Sequence, residues 1–239
     1  MPTQRLDKTI ADSGLYTRRQ AAELIKGGRV AIGGRIAMSA SSRLDPDKET
    51  VTVDGAPLEF RRYRYIMMNK PSGYVSSTSD RNERTVLELL DDRYANLGLF
   101  PAGRLDKDAE GLLLLTNDGA LAHDITSPAK KVYKKYFVEI DGIITESDIE
   151  AFARGMQLND GTQCLPAKLE PAQTQATAPG LGAAYVTLCE GKYHQVKRMM
   201  AAIGKPVKYI KRLSIGNLSL DESLKPGEYR EISVPNSPS

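Results

Sequence analysis

The feature that most limits how this chain can fold is a short apolar run that directly follows a charged loop. The run, residues 112–115, is four leucines and is bounded by Gly111 and by the turn-forming residues 117–119. A run this short and this apolar predicts a buried strand, although periodicity alone leaves a helical segment open. A charged loop fixed to a buried strand is rigidly supported, and catalytic groups are often placed on such loops. The charged residues of this loop are Arg104, Asp106, Asp108 and Glu110. The alternative is that these acids are simply solvated, as most charged residues are.

The length and composition of the chain set wide bounds on its organisation. With 239 residues it can form one large domain, or a small domain joined to a medium one. Its 33 Lys and Arg residues face 30 Asp and Glu residues, so a nucleic-acid partner has to be argued from local clusters. Cys164 and Cys189 form no metal-ligand spacing with His123 or His194, which predicts free thiols and no metal site. The absence of a long apolar stretch or a signal-peptide pattern predicts a cytoplasmic protein with no membrane partner.

Residues 1–58 are predicted to form a small α/β module. A short helix near Leu6 is followed by a second helix, which the capping-box pattern of residues 17–20 begins and Gly27 ends. Residues 29–37 predict a hairpin with a two-glycine turn, and residues 51–53 predict a further strand. The cations on its polar face suit a phosphate backbone, although a solvated surface is the alternative. They are Arg5, Lys8, Arg18, Arg19, Lys26 and Arg29. Residues 59–63 are the predicted linker, within a segment containing proline and charges that starts at Ala56.

Residues 64–239 are predicted to form an α+β domain. Strands and helices do not alternate regularly along this part, which favours a mixed, mostly antiparallel sheet with flanking helices. Strands are predicted at residues 65–68, 74–76, 112–115, 133–140, 184–189 and 207–210. Helices are predicted to begin at Thr85 and Ser147 and to cover residues 194–203. Residues 172–182 are predicted to form a loop, and residues 235–239 a frayed tail.

Two segments of this second part combine cations with aromatic or apolar residues. In residues 130–137 lysines alternate with rings, and the alternation of a strand puts Lys134 and Tyr136 on one face. A ring beside a positive charge can stack on an unpaired base, although the rings can equally belong to the core, with the lysines protecting an exposed edge. In residues 191–204 an apolar helical stripe is flanked by Lys197 and Arg198. Between residues 186 and 212 seven Lys or Arg residues face Glu190 alone, which favours a polyanionic partner.

Residues 103–112 resemble the signature loop of the RsuA-type RNA pseudouridine synthases, a family that modifies ribosomal RNA. The His-Gln-Val-Lys-Arg-Met run from His194 resembles a further motif of that family, and residues 4–30 resemble the alpha-L RNA-binding motif. The resemblance implies that Asp106 is the catalytic nucleophile and that Lys197 pairs with it. It implies that Tyr136 stacks on the target base and that Arg104 holds the flipped-out geometry. Further pocket positions would be Ile210 and Arg212, and further RNA contacts Lys130, Lys134 and Arg198. One departure is Ala109, where family members often carry a hydroxyl residue.

Isomerising uridine to pseudouridine involves no redox step or group transfer, so the resemblance implies no cofactor and no metal. The form of the motif from Tyr193 to Met199 resembles the enzyme for small-subunit ribosomal RNA more than its large-subunit relatives. A bacterial, monomeric enzyme acting on this RNA or on an assembly intermediate is expected. His123 and His194 are interpreted as structural residues.

Three alternatives stay open from the sequence. A large-subunit enzyme of the same family would share the signature loop, although such relatives often have other residues before the basic pair of the motif that starts at His194. A non-catalytic ribosomal-RNA-binding or assembly factor would share the basic clusters, and replacing Asp106 with Asn would leave its activity intact. A glycosidase or other hydrolase would use Asp106 and Asp108 as paired acids, but basic clusters suit a polyanion better than a neutral sugar.

Overall fold

The computed structural model describes residues 3–173, 176 and 179–233. The chain forms two compact units. The first comprises the described residues up to Arg64 together with Leu90–Leu99, and the second comprises Tyr65–Leu89 and the described residues from Phe100 onward. No helix within the described ranges is long and apolar enough to cross a membrane.

The first unit combines α-helices with short strands, and its elements have these bounds: β1 (Gln4–Arg5), α1 (Leu6–Ala11), α2 (Arg18–Lys26), β2 (Val30–Ile32), β3 (Arg35–Ile36), β4 (Arg43–Leu44), β5 (Val51–Val53) and β6 (Ala56–Pro57). The order β3-β2-β5-β6 makes one antiparallel sheet, and β1 pairs separately with β4. The predicted hairpin and the strand at residues 51–53 are confirmed. The segment from Ala56, interpreted as part of a linker-like stretch, begins as a strand because Val53 and Thr52 pair with it.

The start of α2 follows its sequence pattern. The Gln20 backbone N–H donates to Thr17 Oγ1 at 3.2 Å, and the Thr17 backbone N–H donates to Gln20 Oε1 at 2.8 Å. This reciprocal capping box satisfies donors that a helix end leaves open. The helix buries Ala21, Leu24 and Ile25 against the core of the unit. The capping-box prediction is confirmed.

Residues 90–99 join the first unit through a close backbone approach. Gly14 has φ +85°, and a Cβ there would lie 2.5 Å from the Arg93 carbonyl oxygen and 3.0 Å from Leu97 Cδ2. Glycine is therefore needed both for the left-handed backbone and for the space. Leu97 and Leu99 are buried.

In the part of the chain that the structure describes, the second unit is built around a nine-stranded sheet, and its elements have these bounds: β7 (Tyr65–Lys70), β8 (Phe100–Pro101), β9 (Glu110–Thr116), α3 (Gly119–Thr126), β10 (Lys134–Asp141), α4 (Glu146–Arg154), β11 (Met156–Gln157), β12 (Gln163–Cys164), β13 (Lys168–Pro171), β14 (Leu181–Leu188), α5 (Gln195–Ala202), β15 (Val207–Ile215), β16 (Leu218–Ser219) and β17 (Tyr229–Glu231). The main path is β13-β14-β10-β15-β9-β7-β17, and among these described strands only the neighbours β15 and β9 run parallel. The predicted α+β class with a mixed, mostly antiparallel sheet is confirmed.

The leucine run lies at the centre of this sheet. Residues 112–115 belong to β9, pair with β7, and are fully buried. Leu112 and Leu114 pack with residues of α3, including Ile125, on one face. Full burial of each leucine contributes roughly 1.5–3 kcal/mol relative to exposure. The prediction of a buried strand is confirmed.

Other predicted boundaries differ from the structure. Residues 74–76 are not a strand: Val75 makes only an isolated bridge with Thr85. The helix predicted to begin at Thr85 is a single 3-10 turn, Val86–Leu89. α4 is capped by Thr145 rather than Ser147, because the Thr145 backbone N–H donates to Asp148 Oδ2 at 2.8 Å.

The strand predicted at residues 207–210 continues to Ile215, and the strand predicted at residues 133–140 begins at Lys134. Within the loop predicted at residues 172–182, Leu181 and Gly182 belong to β14, and residues 174, 175, 177 and 178 lie outside the described residues. The tail predicted at residues 235–239 also lies outside them.

The parallel pairing of β9 with β15 depends on glycine at position 111. Gly111 has φ +101°, and a Cβ there would lie 2.3 Å from the Arg212 carbonyl oxygen and 2.8 Å from its backbone nitrogen. We expect Gly111→Ala to lower the free energy of unfolding by about 2–5 kcal/mol, because backbone strain adds to overpacking. Urea unfolding followed by circular dichroism would measure this loss.

Gly119→Ala is the matched control, since Gly119 starts α3 and a Cβ there would meet nothing within 4 Å. It should raise stability slightly, by up to about 1 kcal/mol. Equal stabilities for the two variants would contradict the role given to Gly111.

Candidate active site

The loop between β8 and β9 forms one wall of a cleft of about 440 Å³ in the second unit. Residues 104–107 and Ala109 line it from the loop, Tyr136 and Ile210 line it from the sheet, and residues 190–197 line it from the segment that enters α5. A volume of this size is in the range of roughly 300–1,000 Å³ that is typical of small-molecule sites. The cleft therefore brings together the signature loop and the two basic segments identified in the sequence.

A buried lysine holds the loop from inside the protein. Lys70, the last residue of β7, is fully buried. Its Nζ donates to the carbonyl oxygens of Pro71 at 2.9 Å, Lys107 at 3.1 Å and Ala109 at 2.7 Å. Burial of this ammonium lowers its pKa from 10.5 to about 8, an effect that the acids Asp108, Glu110 and Asp106 partly oppose. The ammonium donates all three hydrogen bonds, and two of them fix the loop at Lys107 and Ala109, directly after Asp106.

Two further side chains hold the start of the loop. The buried Ser76 Oγ donates to the Leu105 carbonyl at 2.9 Å and accepts from the Leu105 backbone N–H at 3.1 Å. Arg212 Nη1 donates to the Arg104 carbonyl at 3.3 Å, and its Nε donates to the Leu112 carbonyl at 2.8 Å. Residues 104 and 105 are thus held by hydrogen bonds to their main chain, which leaves their side chains available to the cleft.

Arg212 is a predicted substrate-binding residue, but the structure places it under the loop. Its residue exposure is 3% and it does not line the cleft. Its Nη2 is buried with no hydrogen-bond partner among the described residues. Its backbone pairs with Gly111, and its guanidinium donates to carbonyls at the two ends of the loop, those of Arg104 and Leu112. Arg212 therefore supports the loop rather than forming part of the cleft wall.

Asp106 lies on the cleft wall with two nitrogen groups beside it. Its side chain is 29% exposed, Lys197 Nζ lies 3.5 Å from Oδ2, and His194 Nε2 lies 3.6 Å from Oδ1. Lys197 also contacts Asp108 Oδ1 at the shorter distance of 2.5 Å. Burial raises the pKa of the Asp108 carboxyl, but the hydrogen bond and charge of Lys197 outweigh it, and the net shift is downward. Lys197 thus bridges two carboxylates of the loop.

His194, interpreted from the sequence as a structural residue, lies in the cleft. It lines the cleft beside Asp106 and has a left-handed backbone with φ 47°. No catalytic spacing marks it in the sequence, because Asp106 and His194 meet only through tertiary packing. His123 lies in α3 and does not line the cleft.

The alternation predicted for β10 is present: Lys134 and Tyr136 lie on the same face and are both buried, but only Tyr136 lines the cleft. Tyr136 is buried and lines the cleft, as does Ile210 on the neighbouring strand. Lys134 is on the same face but is also buried, and its Nζ donates to the Ile125 carbonyl at 3.1 Å. Burial is the main cause that lowers its pKa. The predicted contact of Lys134 with RNA is not supported, because its ammonium points into the protein.

The other predicted cations of this unit lie at the surface or the rim. Arg104 is exposed on the cleft wall. Lys130 Nζ lies 3.5 Å from Asp124 Oδ1. Arg198 forms an ion pair with Asp160, and its Nη1 donates to the Tyr193 carbonyl at 3.3 Å.

A buried carboxylate organises the segment that carries His194. Glu190 accepts hydrogen bonds from the Leu165 backbone N–H at 2.8 Å, from Lys192 and from Gln195. Gln195 in turn accepts from the Lys192 backbone N–H at 2.9 Å. Sequence reasoning missed Glu190, Gln195, Ser76 and Lys70 as site residues. The signal for Lys70 was a cation that follows the apolar run 65–68 and Asn69, a pattern equally typical of a strand end in solvent.

In the first unit, acids balance most of the predicted cations. Arg5 and Arg18 each contact the buried Asp7 at 3.0 Å, and the hydrogen bond from Arg5 is the largest cause that lowers the Asp7 pKa. Arg29 makes two hydrogen bonds to Asp54, at 2.8 and 2.5 Å. The remaining pairs are Lys8–Asp12 at 2.6 Å and Arg19–Glu23 at 3.4 Å, and Lys26 is exposed at the end of α2. The face is less positive than the count of its cations indicates.

The lowered pKa of Lys70 predicts a specific pH dependence of stability. Below pH 8 the ammonium is protonated in both the folded and the unfolded chain. Between pH 8 and 10.5 the folded protein has released this proton and the unfolded chain still binds it. The Lys70 contribution to the free energy of unfolding should therefore rise with pH in this window, by up to about 1.4 kcal/mol per pH unit.

The comparison with Lys70→Met isolates this contribution. The difference in unfolding free energy between wild type and variant, from urea titrations at several pH values, should grow between pH 8 and 10. The exposed Lys130→Met should leave the slope unchanged. A flat difference for Lys70→Met would show that Lys70 keeps an ordinary pKa.

The chain is similar to known proteins over nearly its whole length. A sequence profile for RNA pseudouridylate synthase matches residues 64–202, and a profile for the S4 domain matches residues 4–49. An uncharacterized RNA pseudouridine synthase of Bacillus subtilis is 46% identical over 95% of this chain and 94% of its own. The ribosomal small subunit pseudouridine synthase A of Escherichia coli is 42% identical over 95% of this chain and 96% of its own. A crystal structure of a pseudouridylate synthase superposes with a TM-score of 0.63 at 38% identity, covering 96% of both chains. The chain therefore belongs to the RNA pseudouridylate synthase family and is an RNA pseudouridine synthase.

Proposed function

We propose that this enzyme isomerises a specific uridine of small-subunit ribosomal RNA to pseudouridine, with Asp106 as the catalytic residue. The observation that carries the proposal is the position of Asp106, on a loop whose backbone is held by Lys70 and Ser76, within a cleft that Tyr136 also lines. The relative from Escherichia coli, named for the small ribosomal subunit, supports the choice of RNA.

The reaction needs a carboxylate beside the sugar of the target nucleotide. Uracil is detached from C1′, turned, and rejoined through its C5 carbon, and the proton lost from C5 is balanced by one gained at N1. Asp106 begins this sequence by attack on the sugar, by attack on the base, or by elimination across the sugar. Lys197, 3.5 Å away, supplies a positive charge beside the carboxylate in each route.

The target base has to leave its stack before Asp106 can reach the sugar. Tyr136 and Ile210 offer an aromatic and an aliphatic surface inside the cleft, against which a uracil ring can lie. Arg104 is exposed at the cleft wall. There it can hold the flipped-out nucleotide by contacting its phosphate, or by filling the space that the base leaves in the stack. Lys130 and Arg198 lie at the surface of the same unit and suit flanking phosphates.

In this proposal the chain divides by role. Residues 1–58 bind RNA, residues 59–63 link, and residues 64–239 carry out catalysis. The S4 match supports RNA binding by the first part. Its exposed cations act on the phosphate backbone without reading sequence. The ribosomal RNA itself, or an assembling particle that presents it, is the partner.

Replacing Asp106 with Asn should abolish the reaction while leaving the fold intact, because the amide is nearly isosteric but cannot serve as a nucleophile or base. Unmodified ribosomal RNAs of both subunits would be incubated with each protein, and pseudouridine would be mapped at nucleotide resolution. We expect a single new site in small-subunit RNA with wild type and none with Asp106→Asn.

Asp141→Asn is the control, since Asp141 is exposed at the end of β10 and forms an ion pair with Lys208 at 2.9 Å. It should retain full activity. A site in large-subunit RNA would redirect the substrate assignment, and activity in Asp106→Asn would remove Asp106 from its catalytic role.

The role of the first unit is tested by salt dependence. Each phosphate contact contributes roughly 0.7–0.9 to the slope of log affinity against log salt. Replacing both Arg19 and Lys26 with Ala should weaken RNA binding and lower that slope by about 1–2. Lys48→Ala, whose lysine contacts Asp45 at 3.5 Å in the same unit, should change neither quantity. An unchanged slope in the double variant would contradict an RNA-binding face at these residues.

A further inference from the structure

Tyr193 is exposed beside the cleft to an extent that is unusual for a tyrosine. Its relative exposure is 75%, although it lines the same cleft as Asp106. It also lines a neighbouring hollow with Asp160, Arg198 and Ala201. The ring therefore forms the ridge between the two depressions. A large aromatic surface exposed at the rim of a nucleic-acid site is suited to base stacking.

The ring is backed by the imidazole of His194. The two ring centroids lie 3.8 Å apart with an interplanar angle of 17°, which is a stacked arrangement. One face of Tyr193 is thus covered by His194, and the opposite face is the one that a base can reach. His194 also lies 3.6 Å from Asp106, so a single side chain separates the exposed ring from the proposed catalytic carboxylate.

The segment that presents this pair is held in place before any ligand arrives. The His194 carbonyl accepts from the Arg198 backbone N–H at 2.9 Å, and the Tyr193 carbonyl accepts from the Arg198 side chain at 3.3 Å. The left-handed backbone of His194 is costly for a residue with a Cβ, and such conformations persist where the surrounding structure determines them. A pre-organised ring loses less entropy when a base stacks on it.

Three cations lie close to the ring along the chain, and each also forms an ion pair: Lys192 with Glu190, Lys197 with Asp106 and Asp108, and Arg198 with Asp160. Lys192, Lys197 and Arg198 lie within five residues of Tyr193 in the sequence, and all three line the cleft or the hollow. Lys192 and Arg198 flank the ring on either side along the chain. The occupant that fits an aromatic face among cations is a nucleobase whose flanking phosphates lie near the lysines and the arginine.

We infer that Tyr193, backed by His194, is the stacking platform for a nucleobase directly adjacent to the target uridine. This inference rests on the proposed function, because the target uridine defines which base is adjacent. With the uridine turned into the cleft, its neighbour loses one stacking partner in the RNA, and the outer face of Tyr193 replaces that partner.

The test uses the full-length enzyme and RNA fragments that contain the mapped uridine, with either neighbouring nucleotide replaced by an abasic residue. On intact RNA, Tyr193→Leu should lower kcat/KM by roughly fivefold to a hundredfold, the range expected for one stacked base. Tyr193→Phe keeps the ring and should retain near wild-type activity. On RNA that is abasic at the contacted neighbour, wild type and Tyr193→Leu should differ by no more than about twofold, because the lost interaction no longer exists.

A second readout does not depend on turnover. 2-Aminopurine at the contacted neighbour should be quenched on binding by Asp106→Asn and by Asp106→Asn with Tyr193→Phe, and much less by Asp106→Asn with Tyr193→Leu. A full penalty for Tyr193→Leu on both abasic RNAs, or no penalty on intact RNA, would overturn the platform. Absence of pseudouridine with the wild-type enzyme would instead overturn the proposed function, so the two failures are distinguishable.

Discussion

The arrangement of the cleft depends on one buried ammonium group. Lys70 places an ionisable side chain where no water reaches it, and three backbone carbonyls around the loop are its hydrogen-bond acceptors. The ammonium and the carbonyls satisfy each other, because a buried donor or acceptor that is left unpaired destabilises the folded protein. The loop conformation is therefore determined by the core, and Asp106 takes its position from a strand that it does not belong to.

The neighbouring strands extend this support. β9 lies between β7, which ends at Lys70, and β15, which carries Arg212. The parallel pair is possible only because Gly111 lets the β15 backbone approach closely. The later part of the loop is thus held by Lys70 from the antiparallel neighbour β7. The start of the loop is held by Arg212 from the parallel neighbour β15. The nitrogen groups beside Asp106, those of Lys197 and His194, come from a separate segment of the chain.

Local patterns in the sequence predict the elements that have a strong local cause. The strand at residues 112–115 follows from four consecutive leucines between turn signals, and the shared face of Lys134 and Tyr136 follows from the alternation of a strand. The direction of long cationic side chains does not follow in the same way. Lys134 and Arg212 are predicted ligand contacts, yet both are buried and donate to backbone carbonyls. A lysine or arginine can lie along either side of its backbone, and tertiary contacts between distant segments decide which side it takes.

The residues that support the loop are synthesised later than those of the first unit. Arg212 donates to the Leu112 carbonyl across 100 residues of chain, so the loop is complete only after β15 has been synthesised. The first unit has all of its residues once Leu99 has left the ribosome. At typical synthesis rates the two events are on the order of ten seconds apart. During that interval a growing chain can present a finished first unit while the loop that carries Asp106 still lacks the support of β15.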